Sequence, residues 1–349
     1  MTTGVRTIGL ISTLLWLTLA CKESNRSVAN YVKITGETMG THYHVTFNSD
    51  LPPATVKDDI DQLLVEINAE VSTYIDSSII SRLNQENETF TISGDKGHFA
   101  YNLDASADLY ETTEKYFDPT VMPLVNYWGF GYTPTRAVTQ VDSAAIDSMM
   151  QIVGLDRLSY RKTLNSELVI KPFAGQLDFS AIAKGYGVDQ IGELLTQIGV
   201  EDYYVEIGGE VLTHGQNSKG EKWIIGINTP SSDAALTDLI EYLSLSGRGL
   251  ASSGNYRNYY EVAGAKYGHT INPKTGYPEV NELLAVSVIA PDCMTADALA
   301  TACMVMGYTK AKDLIASLSE VEACFFIGSE DGSINKNYSN GFIQYVATK

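Results

Sequence analysis

Tyr203-Tyr204-Val205-Glu206-Ile207-Gly208-Gly209-Glu210-Val211-Leu212-Thr213-His214 reads as two short strands joined by a glycine pair. The strands, Tyr203 to Ile207 and Val211 to His214, are rich in β-branched and aromatic residues. Two adjacent glycines supply the left-handed backbone that a tight hairpin needs. Strands joined so closely run antiparallel, since a parallel crossover needs a dozen or more residues. Trp223 to Asn228 follows as a third strand, and Tyr31 to Asn48 reads as a strand pair around Gly36 and Gly40.

Helical spacing accounts for the segments between. Val56, Ile60, Leu63, Leu64, Ile67 and Val71 mark an amphipathic helix, and Val188, Ile191, Leu194, Leu195 and Ile198 mark another over Ile182 to Ile198. Phe99 to Tyr116 forms a helix that stops at Asp118-Pro119. A loop over Pro123 to Pro134 and a helix over Ala144 to Val153 come next. Leu168 to Lys171 and Gln176 to Phe179 read as strands joined by a turn. Near the end come helices around Asp297 and over Ala311 to Leu318, then strands over Cys324 to Ile327 and Phe342 to Val346. Grouped helices and tightly connected strands give an α+β class with mainly antiparallel sheet, rather than a doubly wound parallel one.

The 349 residues carry 42 acidic against 24 basic side chains, a net charge of −18. Nucleic acid is not expected as a partner, because its binding depends on Lys and Arg neutralising phosphates. An anionic ligand would need local positive charge or a metal. Ile8 to Ala20 is an apolar run of signal-peptide length, too short to cross a membrane comfortably. It ends in Leu17-Thr18-Leu19-Ala20-Cys21, similar to a bacterial lipoprotein cleavage site. Residues 1–20 are therefore expected to be a signal peptide, Cys21 the lipid-bearing residue, and 21–30 a polar tether. Thr18 departs from the aliphatic residue usual there, and a plain signal peptide with an incidental cysteine is the alternative. Cys293, Cys303 and Cys324 lie in apolar contexts without C-x-x-C spacing, so buried free thiols are expected, with a single disulfide as the other arrangement.

Four constellations carry chemistry. In Met294-Thr295-Ala296-Asp297-Ala298-Leu299-Ala300-Thr301, Asp297 and Thr301 stand four residues apart on one helix face. A carboxylate beside a hydroxyl suits a hard cation such as magnesium better than zinc or copper. In Asp178-Phe179-Ser180-Ala181-Ile182-Ala183-Lys184-Gly185, small residues lead into a helix whose first turn bears a lysine. Such a helix start favours anions. The glycine order matches neither a P-loop nor a dinucleotide fingerprint. His269-Thr270-Ile271-Asn272-Pro273 sets a histidine beside a tight turn, and Ser253-Gly254-Asn255-Tyr256-Arg257 suits a ligand-facing loop. A lone histidine is more often structural than catalytic, and an aromatic run such as Tyr127-Trp128-Gly129-Phe130 is more often core than a stacking platform. His42 and His44 share a strand face but lack a third ligand.

With Thr38-Met39-Gly40-Thr41, Phe117-Asp118-Pro119-Thr120 and Ile207-Gly208-Gly209-Glu210, these motifs occur in one order over Tyr31 to Lys349. In that order the chain resembles the ApbE family of FAD:protein FMN transferases. The resemblance implies duplicated T-fold-like antiparallel sheets packed with helices, and a single catalytic domain over residues 31–349. It implies magnesium-dependent cleavage of FAD, with FMN moved onto a threonine hydroxyl of a target flavoprotein and AMP released. It further implies magnesium on Asp297, Thr301 and the backbone oxygen of Ala181, and Lys184 at the phosphates. Asp178 would contact FAD, while Met39, Phe117, Asp118 and Ile271 would line its pocket. His269, with Asp297, would help remove the threonine proton. The target would be an exported subunit of a membrane electron-transport complex, and the enzyme would be lipid-anchored in a bacterial cell envelope, on the periplasmic side. Ser180 stands where glycine is usual and Glu210 where aspartate is common. An FAD pyrophosphatase yielding FMN and AMP, or a flavin-binding lipoprotein without chemistry, are the alternatives.

Overall fold

The computed structural model describes Met1 and residues 30–347, apart from 94–96, 134–137, 139, 164–166, 232–233, 236, 256–258, 263–264 and 330. The expected leader, Cys21 and most of the tether lie outside the described residues. Strands β1 (Tyr31–Thr38) and β2 (Thr41–Asn48) form a hairpin closed at Thr38↔Thr41. Helices α1 (Pro53–Val71) and α2 (Ile79–Gln85), strand β3 (Phe90–Ser93) and helices α3 (His98–Thr112), α4 (Met122–Tyr127) and α5 (Ser143–Met150) follow. Strands β4 (Tyr160–Lys162) and β5 (Glu167–Ile170) complete a small sheet with β3. Helix α6 (Ala183–Gln197) leads into the opening hairpin, β6 (Tyr203–Ile207) and β7 (Glu210–His214).

The second half repeats the plan. After the hairpin β8 (Trp223–Asn228) and β9 (Leu239–Leu245) comes β10 (Arg248–Gly254). The hairpin β11 (Tyr259–Val262) and β12 (Ala265–Gly268) precedes β13 (Leu283–Ala290). Helices α7 (Cys293–Met306) and α8 (Tyr308–Ser317) precede β14 (Glu322–Gly328) and β15 (Ile334–Tyr338). One sheet joins both halves in the order β1-β2-β6-β7-β10-β13-β14-β15, and every pairing in it is antiparallel. Each half is four strands with helices inserted between its second and third, the arrangement the duplicated T-fold expectation describes.

One face of the sheet packs on α1, α6, α7 and α8 around Phe47, Ile60, Leu64, Ile191, Val205, Leu299 and Phe325. The other face is covered by β8, β9 and a short 3-10 turn at Phe342–Tyr345, around Val211, Ile225, Leu243, Leu250, Phe326 and Phe342. Helix α7 is buried around nearly its whole circumference, consistent with its alanine-rich sequence. Its first N–H groups are all satisfied by carboxylates. Asp189 of α6 accepts from Cys293 N and Met294 N at 2.8 Å each, and Asp292 accepts from Thr295 N at 2.7 Å. Cys293, Cys303 and Cys324 are buried free thiols.

Several local expectations need correction. Gln176 to Phe179 is not a strand; only Gln176 makes a bridge, parallel to Val121, because Asn84 takes both the N–H and the C=O of Leu177. The loop over Pro123 to Pro134 contains α4, whose start accommodates Pro123 within the first helical turn. The helix expected to Tyr116 ends at Thr112, where Glu114 and Lys115 take positive φ. The final strand over Phe342 to Val346 is instead the 3-10 turn, with only Val346 bridging to Leu243.

Gly185 is where α6 meets α7. A β-carbon there would lie 2.4 Å from the Cys293 carbonyl oxygen and 2.7 Å from Met294 Cα, both rigid backbone. Overpacking of this kind costs about 1–3 kcal/mol. Gly185→Ala is expected to lower the urea-unfolding free energy by that amount; an unchanged midpoint would contradict the close approach.

Candidate active site

The motifs meet around one cavity of about 1040 Å³. Lys184 of α6, Asp297 and Thr301 of α7, and Glu210, the first residue of β7, all line it, and Lys184 reaches both carboxylates in one charged corner. Gly208 and Gly209 take φ of +61° and +107°, which closes the hairpin at Ile207↔Glu210 and sets Glu210 in that corner. Phe117, Asp118, Asp178, Ser180, Ala181, His269 and Ile271 line the same cavity. Serines 252 and 287, joined across β10 and β13 at 2.7 Å, also face it.

Specific hydrogen bonds fasten these segments to one another. Gly185 N donates to Asp297 Oδ2 at 3.1 Å, joining α6 to α7. Asp178 N donates to the Pro119 carbonyl at 2.7 Å, joining the lysine turn to the Phe117-Asp118 segment. Thr270 Oγ1 donates to Asn255 Oδ1 at 2.6 Å, joining the histidine turn to the end of β10. Trp128 is fully buried and donates Nε1–H to the Gly276 carbonyl at 2.8 Å. The aromatic run thus serves as packing that holds the turn after His269. His269 itself follows β12 and meets the Phe130 ring edge-on at 6.3 Å. His42 and His44 lie on an exposed strand face, where His44 Nδ1 is 2.6 Å from Glu206.

The electrostatic centre is Lys184. Its Nζ lies 2.8 Å from Glu210 Oε1 and 3.5 Å from Asp297 Oδ2, with 29 % of its side chain open. Burial opposes the ammonium charge, but the two carboxylates outweigh burial and hold its proton affinity above the usual lysine range. Burial pushes the carboxyls of Glu210 and Asp178 upward, Lys184 opposing this at Glu210 and two Ser180 hydrogen bonds opposing it at Asp178. Asp118 is pushed up to about 6, again by burial, although its Oδ1 accepts from Thr120 N and Thr120 Oγ1.

The donors at Asp297 fit a hard cation. Both contacts to Asp297, from Gly185 N and Lys184, fall on Oδ2, and Oδ1 takes part in neither. Thr301 lies one turn along the same helix, and Ala181 lines the same cavity. Among the described residues no group of three or more His, Cys, Asp or Glu is gathered to hold a metal. One carboxylate and one hydroxyl, with Ala181 in the same cavity wall, would leave most of a hard cation's shell to water and ligand oxygens.

Two expectations change in detail. Met39 is not among the residues lining the cavity: it sits in the β1–β2 turn at φ +50°, with its methyl 3.1 Å from where a Gly187 β-carbon would be. Tyr74 and Glu210 line the cavity without having been singled out as site residues. Tyr74 is 70 % exposed; the sequence shows only an aromatic three residues past the end of the core-facing helix α1.

Asp118 yields a pH test. Its carboxyl binds a proton more tightly folded, at about 6, than unfolded, at about 4, so its contribution to stability is lost as pH rises through the folded value. Asp118→Asn keeps the Oδ1 acceptor and cannot ionise. Between pH 5 and pH 7.5 the variant is expected to gain about 1.4 kcal/mol on the wild type in urea unfolding. A difference that stays constant with pH would contradict the assignment.

Comparison with known proteins agrees with this geometry. The ApbE family profile matches residues 39–325. The FAD:protein FMN transferase of Haemophilus influenzae is 34% identical over 98% of this chain and 98% of its own. That of Vibrio cholerae is 36% identical over 87% of this chain and 90% of its own. Among solved structures, flavin transferase ApbE from Vibrio cholerae has a TM-score of 0.79 at 33% identity, covering 91% of this chain and 99% of that one. The apo form of Pseudomonas stutzeri flavinyl transferase ApbE has a TM-score of 0.80 at 29% identity, covering 92% and 98%. With the cavity, the motif order and these likenesses in agreement, the chain belongs to the ApbE family.

Proposed function

We propose that this protein is an FAD:protein FMN transferase that moves FMN from FAD to a threonine hydroxyl of a flavoprotein, with magnesium bound at Asp297, Thr301 and the Ala181 carbonyl. The observation that carries this reading is the corner where Lys184 meets Asp297, one helical turn from Thr301, in the wall of a cavity near the upper range for ligand sites. The names of its relatives give the same activity.

In the proposed step the threonine oxygen attacks the phosphorus of the FMN half. A new P–O bond forms, the bond to the AMP phosphate breaks, and AMP departs with the electron pair. Magnesium, when bound, supplies positive charge to diphosphate oxygens and screens them from this acidic protein. Lys184 adds a fixed positive charge beside them. Such transfers depend on positioning and electrostatics more than on covalent help from the protein. His269 receives the hydroxyl proton, and its turn is held by Trp128 and Asn255. Asp178, Phe117 and Ile271 form walls around the flavin nucleotide. The target is an exported subunit of a membrane electron-transport complex. Cys21 carries the lipid that anchors the enzyme at the periplasmic side of the envelope, a reading supported by the Leu17 to Cys21 sequence.

Incubation with FAD and magnesium, with and without a threonine-bearing acceptor domain, tests the reaction. AMP release with an acceptor heavier by FMN less one water is expected. AMP without a modified acceptor would favour a hydrolase, and no AMP in either tube a binding module. Asp297→Ala is expected to reduce transfer by about 100-fold or more, and folded His269→Ala by about 100-fold. Near-wild-type transfer by the histidine variant would remove His269 from the mechanism.

A further inference from the structure

The corner holds one buried carboxylate more than it needs. Asp297 alone would serve as the counterion of Lys184, yet Glu210 is also there with only 6 % of its side chain exposed. One oxygen of Glu210 meets Lys184 at 2.8 Å, and the other, Oε2, is buried with no hydrogen-bond partner among the described residues. Burying a second negative charge beside a single ammonium is costly unless it does something there. Lys184 is also nearer to Glu210 than to Asp297, 2.8 Å against 3.5 Å.

We infer that Glu210 is a positioning residue: it draws the Lys184 ammonium away from Asp297, so that the Asp297 carboxylate is left to the divalent cation. This rests on the cation reading given above. The ammonium and a divalent cation compete for one carboxylate. A lysine free to close on Asp297 would form a neutral pair with it and weaken its hold on the metal. With Glu210 present, a second carboxyl group shares the ammonium, so the corner is more negative than a lone Asp297–Lys184 pair and attracts a cation. The lysine remains 3.5 Å away, charged and open to the cavity, where an anionic ligand can reach it. The Gly185 N–H also holds Asp297 Oδ2, at 3.1 Å, which restrains the carboxylate. The Gly208-Gly209 turn sets the start of β7 and thereby the reach of Glu210.

The test uses the folded enzyme and Mn2+ as a spectroscopic stand-in for magnesium, with binding followed by electron paramagnetic resonance in the absence of FAD. Glu210→Gln is expected to weaken Mn2+ binding about tenfold, and Glu210→Asp to restore most of it. Combining Glu210→Gln with Lys184→Met is expected to return affinity to the wild-type level or better, because the competing ammonium is gone. Lys184→Met alone, with Glu210 intact, is expected to bind Mn2+ more tightly than wild type. Unchanged binding in Glu210→Gln, or a loss that persists in the double variant, would overturn the inference. A crystal structure of metal-free Glu210→Gln checks it independently. Lys184 at hydrogen-bond distance from Asp297 supports it, and Lys184 left at its present separation contradicts it. Asp297→Ala distinguishes loss of the cation site from loss of the lysine positioning. If it binds Mn2+ as wild type does, the cation reading fails, whereas the metal-free structure reports on the lysine alone.

Discussion

Helix α6 comes so close to the first turn of α7 at Gly185 that a β-carbon there would stand 2.4 Å from the Cys293 carbonyl oxygen. The active-site corner depends on this approach. It brings the Gly185 N–H within 3.1 Å of Asp297, and it carries Lys184, the preceding residue, to the same carboxylate. Asp189, one turn further along α6, holds the N–H groups of Cys293 and Met294 and so clamps the start of α7 to α6. The main sheet presses on these helices from behind, and its central hairpin delivers Glu210 to the third side of the corner. Removing one member of a buried charge group typically costs about 3–5 kcal/mol, because its partners are left uncompensated. Local stability and site chemistry are therefore coupled in the same three side chains.

Much of this was legible in the sequence because it is encoded locally. The glycine pair between two β-rich runs announces a hairpin, and the hairpin closes at Ile207↔Glu210. The alanine-rich helix around Asp297 announces burial, and α7 is buried almost throughout. Asp297 and Thr301 share a face by helical spacing alone. What was not legible depends on contacts distant along the chain. Gln176 to Phe179 alternates like a strand, but Asn84, more than 90 residues away, takes the backbone groups of Leu177. Phe342 to Val346 has strand composition, yet it caps the layer formed by β8 and β9 as a 3-10 turn. Glu210 belongs to the glycine-pair motif, but its pairing with Lys184, which spans 26 residues of sequence and two kinds of element, is not readable from that motif. Trp128 shows the converse: as an aromatic beside a candidate loop it suggested either core or stacking, and its bond to Gly276 makes it the core residue that steadies a site turn.

A strongly acidic protein that handles an acidic dinucleotide must concentrate its positive charge where the substrate's phosphates lie. Here that charge is one lysine framed by carboxylates, with oxygen donors for a cation beside it. Apolar side chains share the lining with polar ones. Phe117, Val121, Met122, Phe130, Ile271 and Val305 give apolar walls suited to flat rings, and Asp118 and Asp178 sit among them with carboxyls raised by burial. A charged corner with apolar side chains in the same cavity suits a ligand that joins a diphosphate to flat rings.

The most direct measurement is the location of manganese by anomalous diffraction in crystals of the enzyme with FAD. A single strong peak is expected in the cavity between the Asp297 carboxylate, the Thr301 hydroxyl and the Ala181 carbonyl, touching the FAD diphosphate, with Lys184 still paired to Glu210. FAD bound in the cavity with manganese elsewhere, or with no manganese at Asp297, would contradict it.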